Sequence, residues 1–264
     1  MKIRFVAIAI VFLCCAFSAQ GIAQKREWNE YKVSHFIIYY KSIPMDFVKS
    51  VESAAEQHYR DIADWLGFHR EQGWALKNRG KIYIYEDAND YTANAVNFQW
   101  SHGAAFASEK TIRTFPSAHG FFDSTLPHEM THIIFRECIG LETKIPLWFE
   151  EGVAMYQEKA RRFGAHRIVL TAVEKGEFIP LNELTVMRLY NSSPDSQVEL
   201  FYAESASVVY FIINELGEHN FVRLCRALKE GKTFQQALQD VYFRFKSLAD
   251  LNTAWLNYLE RIDR

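Results

Sequence analysis

The sequence predicts an α+β fold in which a small sheet precedes a mainly helical region. Runs of β-branched and aromatic residues gather in the first half of the chain, whereas apolar residues at three- and four-residue steps dominate after residue 121. Hydrophobic residues make up 49% of the 264 positions, which excludes a disordered or collagen-like chain. Strands and helices that segregate along the chain are typical of the α+β class. We therefore expect an N-terminal mixed α/β lobe over residues 24–139 and a C-terminal helical lobe over residues 140–264.

The first 23 residues have the order of a secretory signal peptide. Lys2 and Arg4 precede an apolar run over residues 5–17, and small and polar residues follow it. The run is shorter than the roughly 20 residues that a membrane-spanning helix needs. We expect cleavage after Ala23, so that the protein is exported to the periplasm or secreted without stable membrane insertion. An uncleaved N-terminal membrane anchor is the alternative.

Four patterns follow in the first half of the mature chain. They are a strand over residues 34–41, a helix from Pro44 to Leu66, a strand over residues 81–85 and a further strand candidate within residues 103–115. Gly67 is expected to end the helix, and residues 86–90 are predicted to form a turn.

Seven helices are predicted in the second half from the periodic apolar pattern. They cover Ser124–Cys138, Leu147–Ala160, Asn182–Leu189, Ser205–Leu216, Glu218–Lys229, Thr233–Tyr242 and Leu248–Ile262.

Charge and cysteine content limit the classes of partner and of fold. The 30 basic and 32 acidic residues nearly balance, and loss of the signal peptide takes the formal charge from −2 to −4. No nucleic-acid partner is expected, because phosphate binding needs a basic excess. Cys138 and Cys225 are the two cysteines of the mature chain, too few for a disulfide framework. They either pair or are two small buried residues.

The motif His-Glu-x-x-His stands at residues 128–132 in one of the predicted helices. His128 and His132 lie one turn apart on the same face, so both imidazoles can reach one metal ion. Glu129 is rotated from His128 by about 100° and can approach a bound water without ligating the ion. A third protein ligand is needed, and two carboxylates, Glu150 and Glu151, begin the next apolar helix.

This arrangement resembles a known family of zinc peptidases. His-Glu-x-x-His, 18 further residues and Glu followed by Gly-x-Ala is similar to the gluzincin pattern of the aminopeptidase-N branch and of the smaller peptidase-MA-like proteins. The resemblance implies a zincin-like catalytic domain over residues 24–264, with Zn²⁺ as cofactor and Glu151 as the third ligand. Glu150 stands where the family usually has Asn.

A second part of the resemblance lies in the segment that contains Tyr202. Residues 201–209 and Leu216-Gly217-Glu218-His219-Asn220-Phe221 look like the family segment whose Tyr hydroxyl points at the oxyanion. By resemblance, Tyr202 is assigned that catalytic role, which would stabilise charge formed only after attack. The alternative is a packing tyrosine, since the chain has 13.

One stretch departs from the aminopeptidase pattern. Enzymes of that branch carry Gly-x-Met-Glu-Asn on an edge strand, and its Glu binds the free amino terminus of the substrate. Residues 103–108 read Gly-Ala-Ala-Phe-Ala-Ser and contain no acid. We therefore expect no requirement for a free amino terminus, and an extended substrate could still pair with this strand. His102 and His119 either line the cleft or are ordinary surface histidines.

Together these observations lead us to expect an exported zinc metallopeptidase that acts on a peptide or protein substrate. Zn²⁺ held by His128, His132 and Glu151 would activate a water, and Glu129 would be its general base. Two alternatives stay open at this point. One is a non-catalytic zincin-fold binding or scaffold protein, and the other is a zinc hydrolase of a non-peptide bond.

Overall fold

The structure is a computed structural model that describes residues 28–67, 73–95, 102–158 and 162–262. It is an α+β protein, 62% helical, with a small mixed sheet in its N-terminal region and a helical C-terminal part. The predicted fold class is confirmed, and the architecture is consistent with a zincin-like domain. The predicted signal peptide lies outside the described residues. Among the helices that are described, none is both long and apolar enough to cross a membrane.

Five strands form one mixed sheet in the order β1-β2-β3-β5-β4. They are β1 (Asn29–Lys32), β2 (Phe36–Tyr40), β3 (Gly80–Ile84), β4 (Gly103–Phe106) and β5 (Thr111–Thr114). The three central strands are parallel, and both edge strands are antiparallel to their neighbours. Ile38, Ile82 and Ile112 lie side by side in register and are buried. This apolar row gives the sheet one inward face, as alternation along each strand requires.

Two features of the sheet differ from the prediction. The single strand candidate within residues 103–115 is in fact two strands, β4 and β5, that pair with each other across a tight connection. Lys110 ends that connection in the left-handed region with φ of 50°, which reverses the chain. Strand β1 is absent from the prediction, because three of its four residues are exposed and carry no alternating apolar pattern.

Ten α-helices are described. They are α1 (Met45–Trp65), α2 (Ala88–Asn94), α3 (Leu126–Ile139), α4 (Leu147–Tyr156), α5 (Arg162–Lys175), α6 (Leu181–Val186), α7 (Asp195–Tyr210), α8 (Glu218–Lys229), α9 (Phe234–Val241) and α10 (Leu248–Ile262). A π-helical turn precedes α3 over Phe121–Thr125, and another follows α7 over Phe211–Glu215.

Three helical predictions need correction. The expected turn at residues 86–90 begins α2 instead, because the Asp87 side chain caps the helix by accepting a hydrogen bond from the backbone N–H of Asp90. Helix α5 is missing from the prediction, and its buried face consists of Ala165, Val169 and Ala172, which give a weak periodic signal. Helix α7 begins ten residues before the predicted Ser205, because its first two turns are polar and mostly exposed.

Helix α3 runs between the sheet and the helical region. It packs against α1 and β4 on one side and against α4 and α8 on the other. Leu126, Met130, Ile133 and Ile134 are completely buried in these contacts. His128, Glu129, His132 and Arg136 of α3 are not in the core and line the cleft described below, together with residues of β4, α4 and α7.

Candidate metal centre

Three side chains from two helices meet at one point. His128 and His132 come from successive turns of α3, and Glu151 comes from the first turns of α4. The Nε2 atoms of the two histidines are 3.1 Å apart, and Oε2 of Glu151 lies 3.4 Å from the first and 3.7 Å from the second. Ligands about 2.0–2.1 Å from a tetrahedral zinc ion would be separated by about 3.3 Å. The donor set therefore fits zinc in both chemistry and spacing.

Close packing of α4 on α7 brings Glu151 and Tyr202 to the same site. Gly152 allows this packing, since a Cβ at that position would overlap the carbonyl oxygen of Ser205 and lie 2.5 Å from the side chain of Val209. Any larger residue would have to move one helix away from the other. The Gly that follows Glu151 is thus a structural requirement of the site.

A buried carboxylate contacts Nδ1 of His128, the ring nitrogen that faces away from the other two ligand candidates. Oε1 of Glu158 lies 2.7 Å from Nδ1 of His128, and its other oxygen accepts a hydrogen bond from the Ser124 hydroxyl. Such a partner fixes the orientation and tautomer of a ligand histidine. Glu158 was not predicted from the sequence. The one feature that could have indicated it is its spacing, since it lies seven residues, or two helical turns, after Glu151 in the same apolar segment.

His132 has a carboxylate neighbour of its own. Oε1 of Glu150 lies 3.7 Å from Nδ1 of His132. Arg136 holds Glu150 through two hydrogen bonds, from Nε to Oε1 at 2.6 Å and from Nη2 to Oε2. Burial raises the pKa of the Glu150 carboxyl, but His132 and Arg136 more than offset this and lower it to about 2. Glu150 is therefore ionised throughout the neutral range.

Glu129 lies on the wall of the cleft beside the two histidines. Burial raises the pKa of its carboxyl, and the neighbouring His128 and His132 act in the opposite direction. Gly103 of β4 lies against it, since a Cβ there would be 2.8 Å from Cγ and 2.9 Å from Oε1 of Glu129. The edge strand and the glutamate are therefore in direct contact.

The cleft extends to both sides of the three ligand candidates. Its two cavities share Gly103, His128, Glu129 and Tyr202 in their walls. The cavity of about 600 Å³ follows β4 and reaches Arg136 and Leu141. The cavity of about 360 Å³ reaches the first turns of α7 and is lined by His102 and His119. Those two histidines are both exposed and part of the cleft wall.

Tyr202 stands on α7 where both cavities meet. Its side chain is half-buried and its ring packs edge-on against Phe201. Tyr202 therefore lines the cleft with His128 and Glu129 and also packs against the edge of the core.

Cys138 and Cys225 are both free thiols in the structure. Cys138 lies on α3 and Cys225 on α8, and these two helices pack together. Burial raises the pKa of both thiols. The raised pKa values keep both thiols in the protonated form at neutral pH.

Comparison with known families identifies the group to which the chain is related. A family model described as the peptidase MA superfamily matches residues 64–261. The chain belongs to the peptidase MA superfamily. The matched residues include α3, α4 and α7, the helices that carry the three ligand candidates, Glu129 and Tyr202.

Membership of the peptidase MA superfamily supports a hydrolase with metallopeptidase-like function that acts on peptide or protein substrates. A comparison with curated protein sequences finds no match. The assignment of individual residues therefore depends on the geometry of this chain.

Proposed function

We propose that this protein is an exported zinc metallopeptidase that hydrolyses peptide bonds. The observation that carries the proposal is the triangle formed by His128, His132 and Glu151, with Glu129 beside it in an open cleft. The donor atoms of the triangle all lie within 4.8 Å of one another. Zinc bound there would supply a Lewis acid that polarises the scissile carbonyl and lowers the pKa of water.

Glu129 is the proposed general base. Its carboxylate would take a proton from the attacking water and pass it to the leaving amine. Burial raises the pKa of this carboxyl, which favours a group that must be protonated in the middle of the reaction. A binding or scaffold protein would have no use for a carboxylate at this position, so Glu129 favours catalysis.

Tyr202 is the proposed oxyanion donor. Its position where the two cavities meet puts the phenol on the cleft wall, next to the place where the scissile carbonyl would lie. A hydroxyl there would donate a hydrogen bond to negative charge that exists only after attack.

The substrate is proposed to bind as an extended chain across the cleft. Strand β4 is an edge strand whose residues Gly103–Ala105 line the larger cavity, a position at which an extended peptide could lie alongside the sheet by β-addition. Cavity space continues on both sides of the ligands. Residues 103–108 contain no carboxylate that could bind a free amino terminus.

The first test compares wild type with Glu129→Gln, both loaded with zinc, on a mixed peptide library. We expect about one zinc per chain in both proteins and cleavage by wild type alone, whereas His132→Ala should lose the ion. Wild type that holds zinc and cleaves no peptide would favour the scaffold or the non-peptide hydrolase. Wild type without zinc after zinc supplementation would contradict the proposal as a whole.

Further measurements test the mode of cleavage and export. N-acetylated peptides should be cleaved as well as their free-amine counterparts, and trimming of free-amine peptides alone would contradict our interpretation of β4. Sequencing of the exported protein should give Gln24 as its first residue. Retention in the membrane fraction with an intact N-terminus would indicate the anchor instead.

A further inference from the structure

Arg136 connects the two helices that supply the metal ligands. It lies on α3 one turn after His132, and its guanidinium reaches across to α4. Nε and Nη2 bind the two oxygens of Glu150, and Nη1 donates to the carbonyl oxygen of Thr143 at 2.7 Å. Both side chains of the pair are at most 20% exposed. One guanidinium thus ties α3, the connecting loop and α4 together.

Glu150, the acidic member of this pair, lies next to two of the proposed ligands. Glu150 immediately precedes Glu151, and its Oε1 lies 3.7 Å from Nδ1 of His132. A shift of Glu150 would therefore move the backbone of one ligand and the neighbour of another. The planar fork of Arg136 is suited to holding a carboxylate in one orientation.

We propose that Arg136 is a positioning residue that holds α4 against α3 through Glu150 and thereby sets how tightly the three ligands bind metal. The inference rests on the proposed zinc site. Ligands held in place before binding lose less conformational entropy when the ion arrives. Mutation of a residue that orients a metal ligand typically lowers metal affinity by about 10- to 100-fold.

The positive charge of Arg136 alone would have the opposite effect on metal affinity, and this difference makes the inference testable. Among the described residues that line the two cavities, Arg136 is the only lysine or arginine. If it acted merely as a nearby positive charge, it would repel the metal, and its removal would tighten binding. If it positions the helices, its removal weakens binding. The two roles therefore differ in sign.

The experiment measures the zinc dissociation constant by competition with a chromophoric chelator for wild type, Arg136→Lys and Arg136→Met. Both variants should bind zinc about 10- to 100-fold more weakly. Arg136→Lys keeps the charge but loses the fork, so a weaker affinity in this variant points to geometry. The cobalt-substituted protein provides a second readout, since its visible absorption should change in both variants if the ligand geometry changes.

Lys110→Met is the matched control. Nζ of Lys110 lies 2.7 Å from Oε1 of Glu137, so this pair joins α3 to the connection between β4 and β5, with 19% and 15% of the side chains exposed. Loss of this pair should lower the melting temperature, as Arg136→Met should. It should leave the zinc affinity within about twofold of wild type, since the pair does not contact a proposed ligand.

The outcomes separate the inference from the function on which it rests. Wild type that binds no zinc contradicts the proposed function. Wild type that binds zinc together with an Arg136→Lys variant of equal or tighter affinity overturns the inference alone. If Arg136→Met does not fold, Arg136→Lys still decides the question, because it keeps the charge in the same place.

Discussion

At the scale of single residues, the contact between Gly103 and Glu129 leads to a first prediction. A methyl group at position 103 would lie within 3 Å of the Glu129 side chain and of Cγ2 of Thr125, so Gly103→Ala should displace the carboxylate. The three ligands are not involved, and zinc should be retained. Because a misplacement of about 1 Å can reduce catalysis about 100-fold, we expect a fall in kcat of that order.

Gly164→Ala is the control for this substitution. Gly164 is an exposed residue of α5, and a Cβ there meets no heavy atom within 4 Å. It should keep full activity and gain up to about 1 kcal/mol in stability. A Gly103→Ala enzyme with the kcat of wild type would show that Glu129 does not depend on this contact.

Tyr202 leads to the second prediction at this scale. Tyr202→Phe removes only the hydroxyl, so the ring keeps its packing against Phe201, and zinc content and melting temperature should not change. If the hydroxyl donates to the oxyanion, kcat should fall by about 10²–10³ while KM barely changes. Tyr190→Phe, at a 64% exposed tyrosine in the loop before α7, should match wild type. A lower melting temperature with normal kcat in Tyr202→Phe would assign the residue to packing.

At the scale of secondary-structure elements, Gly152 determines how closely α4 approaches α7. Gly152→Ala introduces a methyl group into the Ser205 carbonyl and the Val209 side chain. Overpacking of this kind typically costs 1–3 kcal/mol, and it should also weaken zinc binding, because Glu151 moves with α4. Urea unfolding of the metal-free protein and a zinc competition assay would measure the two effects separately. Unchanged values in both would mean that the helices separate without cost.

The elements also show which parts of the site could be predicted from sequence. The positions of His128 and His132 follow from helix geometry, since residues four apart share a face wherever the helix lies. Glu158 could not be found in this way. Its contact with His128 depends on where α4 ends and on the π-helical turn that carries Ser124.

The helix predictions also succeed where local sequence determines the structure and fail where tertiary contacts determine it. Helices with a strong apolar stripe, such as α8 and α10, begin and end where the pattern predicts. The first turns of α7 and the whole of α5 carry little apolar periodicity, and these helices are stabilised by packing of α5 against α7 and of α7 against α4. Tertiary contacts of this kind leave no periodic trace in the sequence.

At the scale of the whole molecule, the site is built from segments distant in the chain. Strand β4 supplies Gly103, α3 the histidines and Glu129, α4 the third ligand candidate, Glu151, and α7 the tyrosine. The matched family region, residues 64–261, contains all four elements. Formation of the site therefore depends on the folding of both the sheet and the helical region, which makes the stability of the entire chain a condition of function.

One buried carboxyl makes that stability depend on pH. Glu204 on α7 is fully buried, and one of its oxygens accepts a hydrogen bond from the backbone N–H of Ile179 at 2.9 Å. The other oxygen has no hydrogen-bond partner among the described residues. Burial raises the pKa of this carboxyl to about 8, although the hydrogen bond from Ile179 lowers it slightly. In the folded protein Glu204 is therefore mostly protonated at neutral pH.

The last prediction follows from the difference between this pKa and the ordinary value of 4.5. Well below pH 4.5 the folded and unfolded states both hold the proton, so the ionisation of Glu204 contributes nothing to the free energy of unfolding. Between pH 4.5 and about 8 the unfolded state releases the proton while the folded state keeps it, so stability falls as pH rises. Glu204→Gln keeps the acceptor for Ile179 and removes the ionisation. Its stability should equal that of wild type near pH 4 and exceed it increasingly up to about pH 8, by at most about 5 kcal/mol. Urea unfolding at a series of pH values, with Glu183→Gln on the exposed face of α6 as the control, would measure the difference. A constant difference between Glu204→Gln and wild type across this range would mean that Glu204 is ionised in the folded protein and finds a partner there.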